Sequence, residues 1–305
     1  CLVGGYSDRD DWVGEKRGAV KNSVGMEFLR KFSNDYGDFL TCDLQLRLGY
    51  DISLDSNEAW GLEVHNAWAD YKTGLGRNIR IGHFSPFFGL EPTVDTHGTL
   101  FQTMAVQDIG FKKDWGVGYR NTVSALDFEC GVQIGSGMGI ERIDSSHLLS
   151  ARLGDSRNPN FLYGLSILYG DLLQSEFMRT VPEANYDNDS VTRKRAGLDV
   201  RILHGPLLVM GEVSSGWNED NRVAGAMLQA DWTVSSFQAL TFQLQGRYWS
   251  DDPGVSERTS ASTGLGFSYQ ISSSWVLRSA VFSDVEQYPG ENDTLFFVQL
   301  YYFGR

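Results

Sequence analysis

No run of apolar residues in this 305-residue chain is long enough to cross a membrane as a helix. Such a helix needs about 20 in succession, and every hydrophobic stretch here is interrupted well before that. Positive charge is also short, with 26 Lys and Arg against 39 Asp and Glu and a formal net charge of -13. A protein that grips nucleic acid by its phosphates must offer basic clusters, so no nucleic-acid partner is expected. Cysteine numbers three and proline seven. Three thiols make no disulfide framework, and there is no Cys-x-x-Cys-His haem motif. The histidines (His65, His83, His97, His147 and His204) lack paired metal-binding spacing, so neither metal nor cofactor is expected. Asp144-Ser-Ser-His147 collects the residue types of a hydrolase triad, but a triad is a spatial arrangement rather than a run. No enzyme is expected.

What the chain does have is alternation. From Leu40 to Tyr50, Leu40, Cys42, Leu44, Leu46, Leu48 and Tyr50 fall on one face of an extended strand. Thr41, Asp43, Gln45, Arg47 and Gly49 fall on the other. The pattern returns over 126–134, 195–202, 224–232, 240–248 and 264–271. A strand crosses a bilayer in about 10 residues, of which only every second must be apolar. A soluble sandwich alternates too, but its strands cluster near 5–6 residues, and these commonly run to ten or more. Tyr50, Trp60, Trp115, Tyr119, Tyr163, Tyr169, Trp232, Tyr248 and Tyr269 stand near strand ends, as an interfacial girdle would. The phase predicts that Leu44, Val132 and Leu244 face lipid, and that Gln45, Gln133 and Gln243 face water. Cys42 and Cys130 fall on the lipid side as small apolar residues.

Short polar links such as Ser33–Gly37, Lys72–Arg77 and His204–Pro206 alternate with longer segments: Asp51–Glu58, Ser85–Gln107, Ser136–His147, Asp171–Ser190, Ser215–Arg222, Ser250–Glu257 and Asp284–Asp293. Short periplasmic turns and long outer loops produce that rhythm. The expectation is an all-β chain: one transmembrane antiparallel β-barrel over residues 1–305, with about 16 strands and 14 as the alternative. Cys1–Tyr6 belong to the first strand, and Leu295–Phe303 form the last. Cys1 itself reads either as the lipidated first residue of a mature lipoprotein or as the start of a trimmed or partly ordered chain. A signal peptide would already have been removed.

Asn78-Ile-Arg-Ile-Gly-His-Phe-Ser-Pro-Phe-Phe-Gly-Leu-Glu91 resembles the pattern of phosphate-selective porins of the O/P type. The resemblance covers about fifteen residues closely and the rest only as barrel pattern. It implies a water-filled outer-membrane channel lined by basic residues, with Arg80 on the motif. The strand phase adds Arg47, Arg120, Arg152, Arg195, Arg201, Arg247 and Arg278 to the inner face, beside Asp43, Glu63, Asp127, Glu129, Asp199 and Glu212. Mixed signs predict at most a weak anion preference rather than a phosphate ladder. A lipid-facing charge near the midplane costs about 2–4 kcal/mol, so charges gathered on one face mark that face as wet. Inward glycines (Gly49, Gly116, Gly118, Gly131, Gly197, Gly225, Gly264 and Gly266) read as widening the lumen. Ser85–Gln107 is the candidate constriction, with an outer loop or a hidden short strand in Thr99–Gln107 as the other reading.

Expected partners are outer-membrane lipid, lipopolysaccharide and small polar solutes, and an oligomer fits such a barrel. Acidic clusters in the long segments (Asp171, Glu176, Glu183, Asp187 and Asp189; Asp284, Glu286, Glu291 and Asp293) suggest weak ordering by Ca²⁺ or Mg²⁺. The second functional reading is a scaffold: a barrel that sheathes or anchors a periplasmic or extracellular multihaem cytochrome for electron transfer.

Overall fold

The computed structural model describes residues 1–7, 22–50, 60–94, 99–106, 112–122, 126–137, 139–140, 145–155, 157–173, 190–235, 240–251, 258–286 and 292–304. Sixteen strands form one antiparallel sheet in which β2 to β16 follow in sequence order and β1 pairs with β16. They are β1 (Leu2–Ser7), β2 (Asn22–Asn34), β3 (Gly37–Tyr50), β4 (Trp60–Gly74), β5 (Arg77–Phe84), β6 (Asp114–Asn121), β7 (Asp127–Gln133) and β8 (His147–Asp155). They continue as β9 (Phe161–Leu173), β10 (Ser190–His204), β11 (Leu207–Asn218), β12 (Asn221–Ser235), β13 (Leu240–Asp251), β14 (Arg258–Gln270), β15 (Trp275–Glu286) and β16 (Asn292–Tyr302). The molecule is a transmembrane antiparallel β-barrel.

The outer surface explains why it needs a bilayer. Leu44, Leu62, Val132, Leu165, Leu198, Leu228, Leu244 and Leu265 all point away from the interior and are exposed. In water so continuous a band would drive aggregation; in lipid it is matched to its solvent. Strands of 11–15 residues, at about 3.3 Å per residue and tilted, comfortably cross an apolar band some 25 Å tall. Cys42 and Cys130 stand on this face and are free thiols.

Hairpins at one end are tight. Gly76 (φ 62°) and Gly205 (φ 56°) take the left-handed conformation that two-residue reversals require. One link expected to be long is also tight. Ser215–Arg222 was read as an extended outer segment, but β11 and β12 pair as far as Asn218 and Asn221, leaving only Glu219 and Asp220 at the tip. Polar residues at a strand end look alike whether they continue the ladder or leave it, and here they continue.

The wall is nearly closed. β1 joins β16 over six residue pairs, Leu2–Leu300 to Ser7–Leu295. It meets β2 only at its first residues, where the Cys1 ammonium donates to the Ser23 carbonyl at 2.8 Å and the Ser23 amide donates to the Cys1 carbonyl at 3.0 Å. From Val24 to Asn34, β2 pairs with β3 alone among the described residues.

The chain between β5 and β6 turns into the barrel instead of standing over it. Phe84, Phe87, Phe88, Leu90, Leu100, Phe101 and Met104 are all almost completely buried. In this strap, residues 85–94 run out along the inner wall, residues 99–104 form the far tip, and residues 105–106 and 112–113 belong to the return. Residues 95–98 and 107–111 lie outside the described set. No strand forms within 99–106; Met104–Val106 make a single 3₁₀ turn.

Candidate functional site

All fourteen charged residues singled out in the sequence lie on strands, at positions that alternate with outward apolar residues. They fall into three groups. The first is a band of ion pairs on β4 to β10, in the half nearer the tight turns. Arg80 on β5 binds Asp70 on β4 at 2.7 Å and lies 4.2 Å over the Trp68 ring, while the Asn78 amide holds the other Asp70 oxygen at 2.7 Å. Arg120 donates to Glu129 at 2.5 Å. Glu129 also faces Arg152 at 3.8 Å, and Arg152 reaches Asp199 through two bonds of 3.0 and 2.6 Å. That last pairing skips a strand. Arg152 stands on β8 and Asp199 on β10, and the guanidinium crosses Gly164 of β9, where any side chain would collide with it. Bidentate charge-assisted bonds of this kind are among the stronger polar contacts. Asp127 and Arg201 flank the band on β7 and β10.

The second group meets the strap or the upper wall. The Glu212 carboxylate accepts the Leu90 amide at 2.8 Å. Arg195 is buried and donates to the Trp217 carbonyl and the Asn218 side chain at 2.7 and 2.6 Å. Arg278 donates to Gln299 at 2.6 Å and stacks 5.0 Å over Tyr301. The third group, Asp43, Arg47 and Glu63 with Arg247, surrounds the strap's return. Arg47 is paired across strands with Glu63, and Arg47 and Arg247 both bear electrostatically on Lys112.

Several residues that matter here have no strand period to reveal them. Lys112 donates to Gln102 and Lys113 to Asn66 on β4, tying the return leg to the tip and to the wall. Glu91 accepts the Thr103 hydroxyl, joining the outgoing leg to the tip. Burial is the main cause holding the Lys112 ammonium below its ordinary range; Glu91 opposes that shift, and Arg247 and Arg47 add to it. Asp114, completely buried at the foot of β6, accepts the Gly135 and Gly137 amides at 2.6 and 3.1 Å. Asp70 was not singled out, although it alternates with Ala69 and Tyr71 on β4.

Three expectations need correction. The inward glycines do not simply widen the lumen. A Cβ on Gly118 would stand 2.6 Å from the Phe87 ring, one on Gly197 2.9 Å from Phe88, and one on Gly264 2.6 Å from Phe101. These glycines give space to the strap. Gln133 and Gln243 face inward but are buried, Gln133 donating to the Phe84 and Asp114 carbonyls at 3.0 and 2.9 Å. Asp284 and Asp293 are strand residues holding Ser262 and Ser7 hydroxyls at 2.5 and 2.7 Å, not members of an acidic loop. Glu176, Glu183, Asp187, Asp189 and Glu291 lie outside the described residues. As for the Asp144–His147 run, Asp144 lies outside the described residues, Ser146 donates to the Ile134 carbonyl, and His147 Nδ1 lies 3.1 Å from the Ser145 carbonyl.

Exposure is uneven around the interior. Arg120 keeps 35% of its side chain accessible and Arg80 18%, and Arg47, Gln45 and Asn66 are half-buried. Arg193, Arg195, Gln245, Arg278 and Gln299, on β10 to β16, are buried. Among the described inner side chains, Arg47, Arg80 and Arg120 on β3, β5 and β6 thus keep access, whereas Asp43, Glu63 and Asp70 beside them are buried.

No family model and no curated protein matches this chain. Solved structures do match in fold. An anion-selective porin from Comamonas acidovorans superposes with a TM-score of 0.68 at 13% identity, over 99% of this chain and 96% of that one. OmpF of Salmonella typhi, in complex with daunomycin, gives 0.66 at 11% identity over 99% and 95%. The outer membrane channel DcaP of Acinetobacter baumannii gives 0.65 at 10% identity, also over 99% and 95%. The fold is that of porin barrels.

Proposed function

We propose that this protein is an outer-membrane porin that passes small polar solutes through a water-filled lumen, with a weak preference for anions. One observation carries the reading: the strap enters the barrel and packs mainly on the inner faces of β6 to β16, while Arg80 and Arg120, nearer the tight turns, and Arg47 on β3 keep part of their side chains accessible. The outward apolar band fits the outer membrane, where spanning strands must close their backbone hydrogen bonds among themselves. The porin folds above, one of them named anion-selective, agree with the direction of the preference.

Phosphate selectivity finds less support. The segment resembling phosphate-selective porins divides physically in two. Asn78–Phe84 is β5, whose Arg80 is committed to Asp70, and Pro86–Glu91 is the strap's outgoing leg. The segment thus directs the strap inward, and its Arg80 is paired with an acid rather than offered to an anion. The sheath reading is also disfavoured, because the strap takes up interior volume that a threaded cytochrome would need.

Planar-bilayer recording of the purified protein tests the channel. Discrete steps that scale with salt, and a reversal potential displaced modestly toward the anion side, are expected. Silence across preparations that retain the folded barrel would end the channel reading, and strong cation selectivity would end the stated preference.

A further inference from the structure

The strap is held at its far end by shape rather than by charge. Three inner positions on β12 and β14 carry glycine where the tip arrives. A side chain at Gly225 would collide with the Met104 methyl and stand 3.0 Å from Trp249. One at Gly264 would come within 2.6 Å of the Phe101 ring, and one at Gly266 within 3.0 Å. Phe101 then packs 5.2 Å from the Phe282 ring, in a buried cluster that also takes in Phe297 of β16 and Val3 of β1. Met104 sits in a second cluster with Met210, Met227 and Trp249. Polar ties from the wall to the tip include Gln245 donating to the Gln102 carbonyl at 2.9 Å and Thr99 donating to Gln243 at 3.4 Å.

We propose that Gly225 and Gly264 are specificity-determining sockets: by receiving Met104 and Phe101 they seat the strap's tip on the far wall, and so set the width and the charge lining of the passage. The proposal rests on the channel reading. Its reasoning is steric. Interiors pack near crystal density, so an added methyl group has no void to enter. A branched side chain at either glycine must push the tip off the wall toward β3, where Gln45 and Arg47 line a cavity together with Thr99 of the tip. Because Phe101 shares its cluster with Val3, the same displacement loosens β1, which holds β2 only at its first residues.

The test compares Gly264→Val and Phe101→Ala with Gly246→Ala. The last lies on the outer face of β13 and has open space around it. Filling a socket and deleting the ring that fills it are opposite changes in volume with the same expected consequence, an unseated tip. Both should alter single-channel conductance by roughly two-fold or more and increase open-channel noise, while Gly246→Ala conducts as the parent does.

Seating is read independently of current by adding Ala105→Cys to a background with Cys1, Cys42 and Cys130 replaced. Ala105 is buried between strap and wall, so a water-soluble maleimide should label it slowly in the parent and at least several-fold faster in the two socket variants. Unchanged labelling and unchanged conductance in both variants would overturn the proposal. Faster labelling with unchanged conductance would overturn the passage-setting role. A parent that labels slowly but carries no current would sink the channel reading and leave the seat intact.

Discussion

Two parts of the inner wall share the same strand phase and have little else in common. The band on β4 to β10 nearer the tight turns is charged and paired: Asp70 with Arg80, Arg120 with Glu129, Arg152 with Asp199. The upper wall of β8 to β16 carries Leu148, Leu168, Met210, Met227, Trp249, Phe282 and Phe297, all inward and all buried under the strap. Period-two alternation tells which way a side chain points; it does not tell what is waiting there. Facing in means facing water in one region and facing Phe87, Phe101 or Met104 in the other.

Breaking a core packed inside the barrel should have the largest effect. Phe282→Ala empties the cluster that holds the strap tip, β1, β15 and β16 together, and large-to-small core changes of this kind cost about 3–5 kcal/mol. Phe242→Ala, an exposed aromatic on the outer face of β13, leaves a gap that lipid chains can fill and should cost well under half as much. Urea unfolding in detergent or liposomes compares the two. Equal losses would mean that the inner cluster is not a packed core.

The next effect separates outside from inside. Leu44→Lys, Val132→Lys and Leu244→Lys put a charge into the apolar band and should cost about 2–4 kcal/mol each, enough to impair assembly. Gln45→Lys, half-buried on β3, should fold almost as well as the parent. Gln133→Lys belongs between them, since it removes two bonds to main-chain carbonyls beneath the strap. The mobility shift between heated and unheated samples on electrophoresis reports the folded fraction. A phase error would show as Gln45→Lys failing while Leu44→Lys folds.

These contrasts also mark what could be read from the sequence. For Ser85–Gln107 the sequence left an inward constriction and an outer loop both open, whereas strand number and the outward direction of the apolar set were legible, because a membrane wall enforces alternation residue by residue. The seating of the strap was not. Its legs have no period, and its partners are glycines on β6, β7, β10, β12 and β14, which are silent in a hydrophobicity pattern. One clue was present. Leu295-Phe296-Phe297-Val298 on β16 is apolar on both faces, and alternation fails where the inner face meets something other than water. Pairings that skip a strand, such as Arg152 with Asp199 over Gly164, depend on register and could not be seen in any one segment.

A smaller loss is expected within the charged band. Asp199→Asn keeps the shape and removes the charge that Arg152 holds by two bonds. Breaking a fully buried pair costs about 3–5 kcal/mol, but Arg152 retains Glu129 and 10% of its side chain is accessible, so roughly 1–2 kcal/mol is the expectation. Glu129→Gln should cost a similar amount, and the double variant less than the sum, because both act on one guanidinium. Strict additivity in chemical denaturation would show that the band is a set of independent pairs.

The smallest effect concerns the strap's own charge, and it sharpens the comparison where the two regions meet. Lys112 is held below the ordinary lysine value of 10.5, first by burial and further by Arg247 and Arg47, with Glu91 opposing. A base with a lowered pKa gives up its proton earlier as pH rises. Between that lowered value and the ordinary one, the folded protein binds fewer protons than the unfolded chain, so stability rises with pH across this window. The channel should respond in the other sense, for as the ammonium is lost its contribution to anion preference goes with it. One charge among many, acting over a screening length of about 10 Å at 0.1 M salt, should change the permeability ratio by less than about two-fold. Lys112→Gln should remove the pH dependence and lower the preference at acid pH, and Lys112→Arg should remove the dependence while keeping the preference. Reversal potentials from pH 5 to pH 10 decide it. A parent curve that stays flat, or that bends only where an ordinary lysine titrates, would place Lys112 away from the path of the ions and leave selectivity to the accessible Arg47, Arg80 and Arg120.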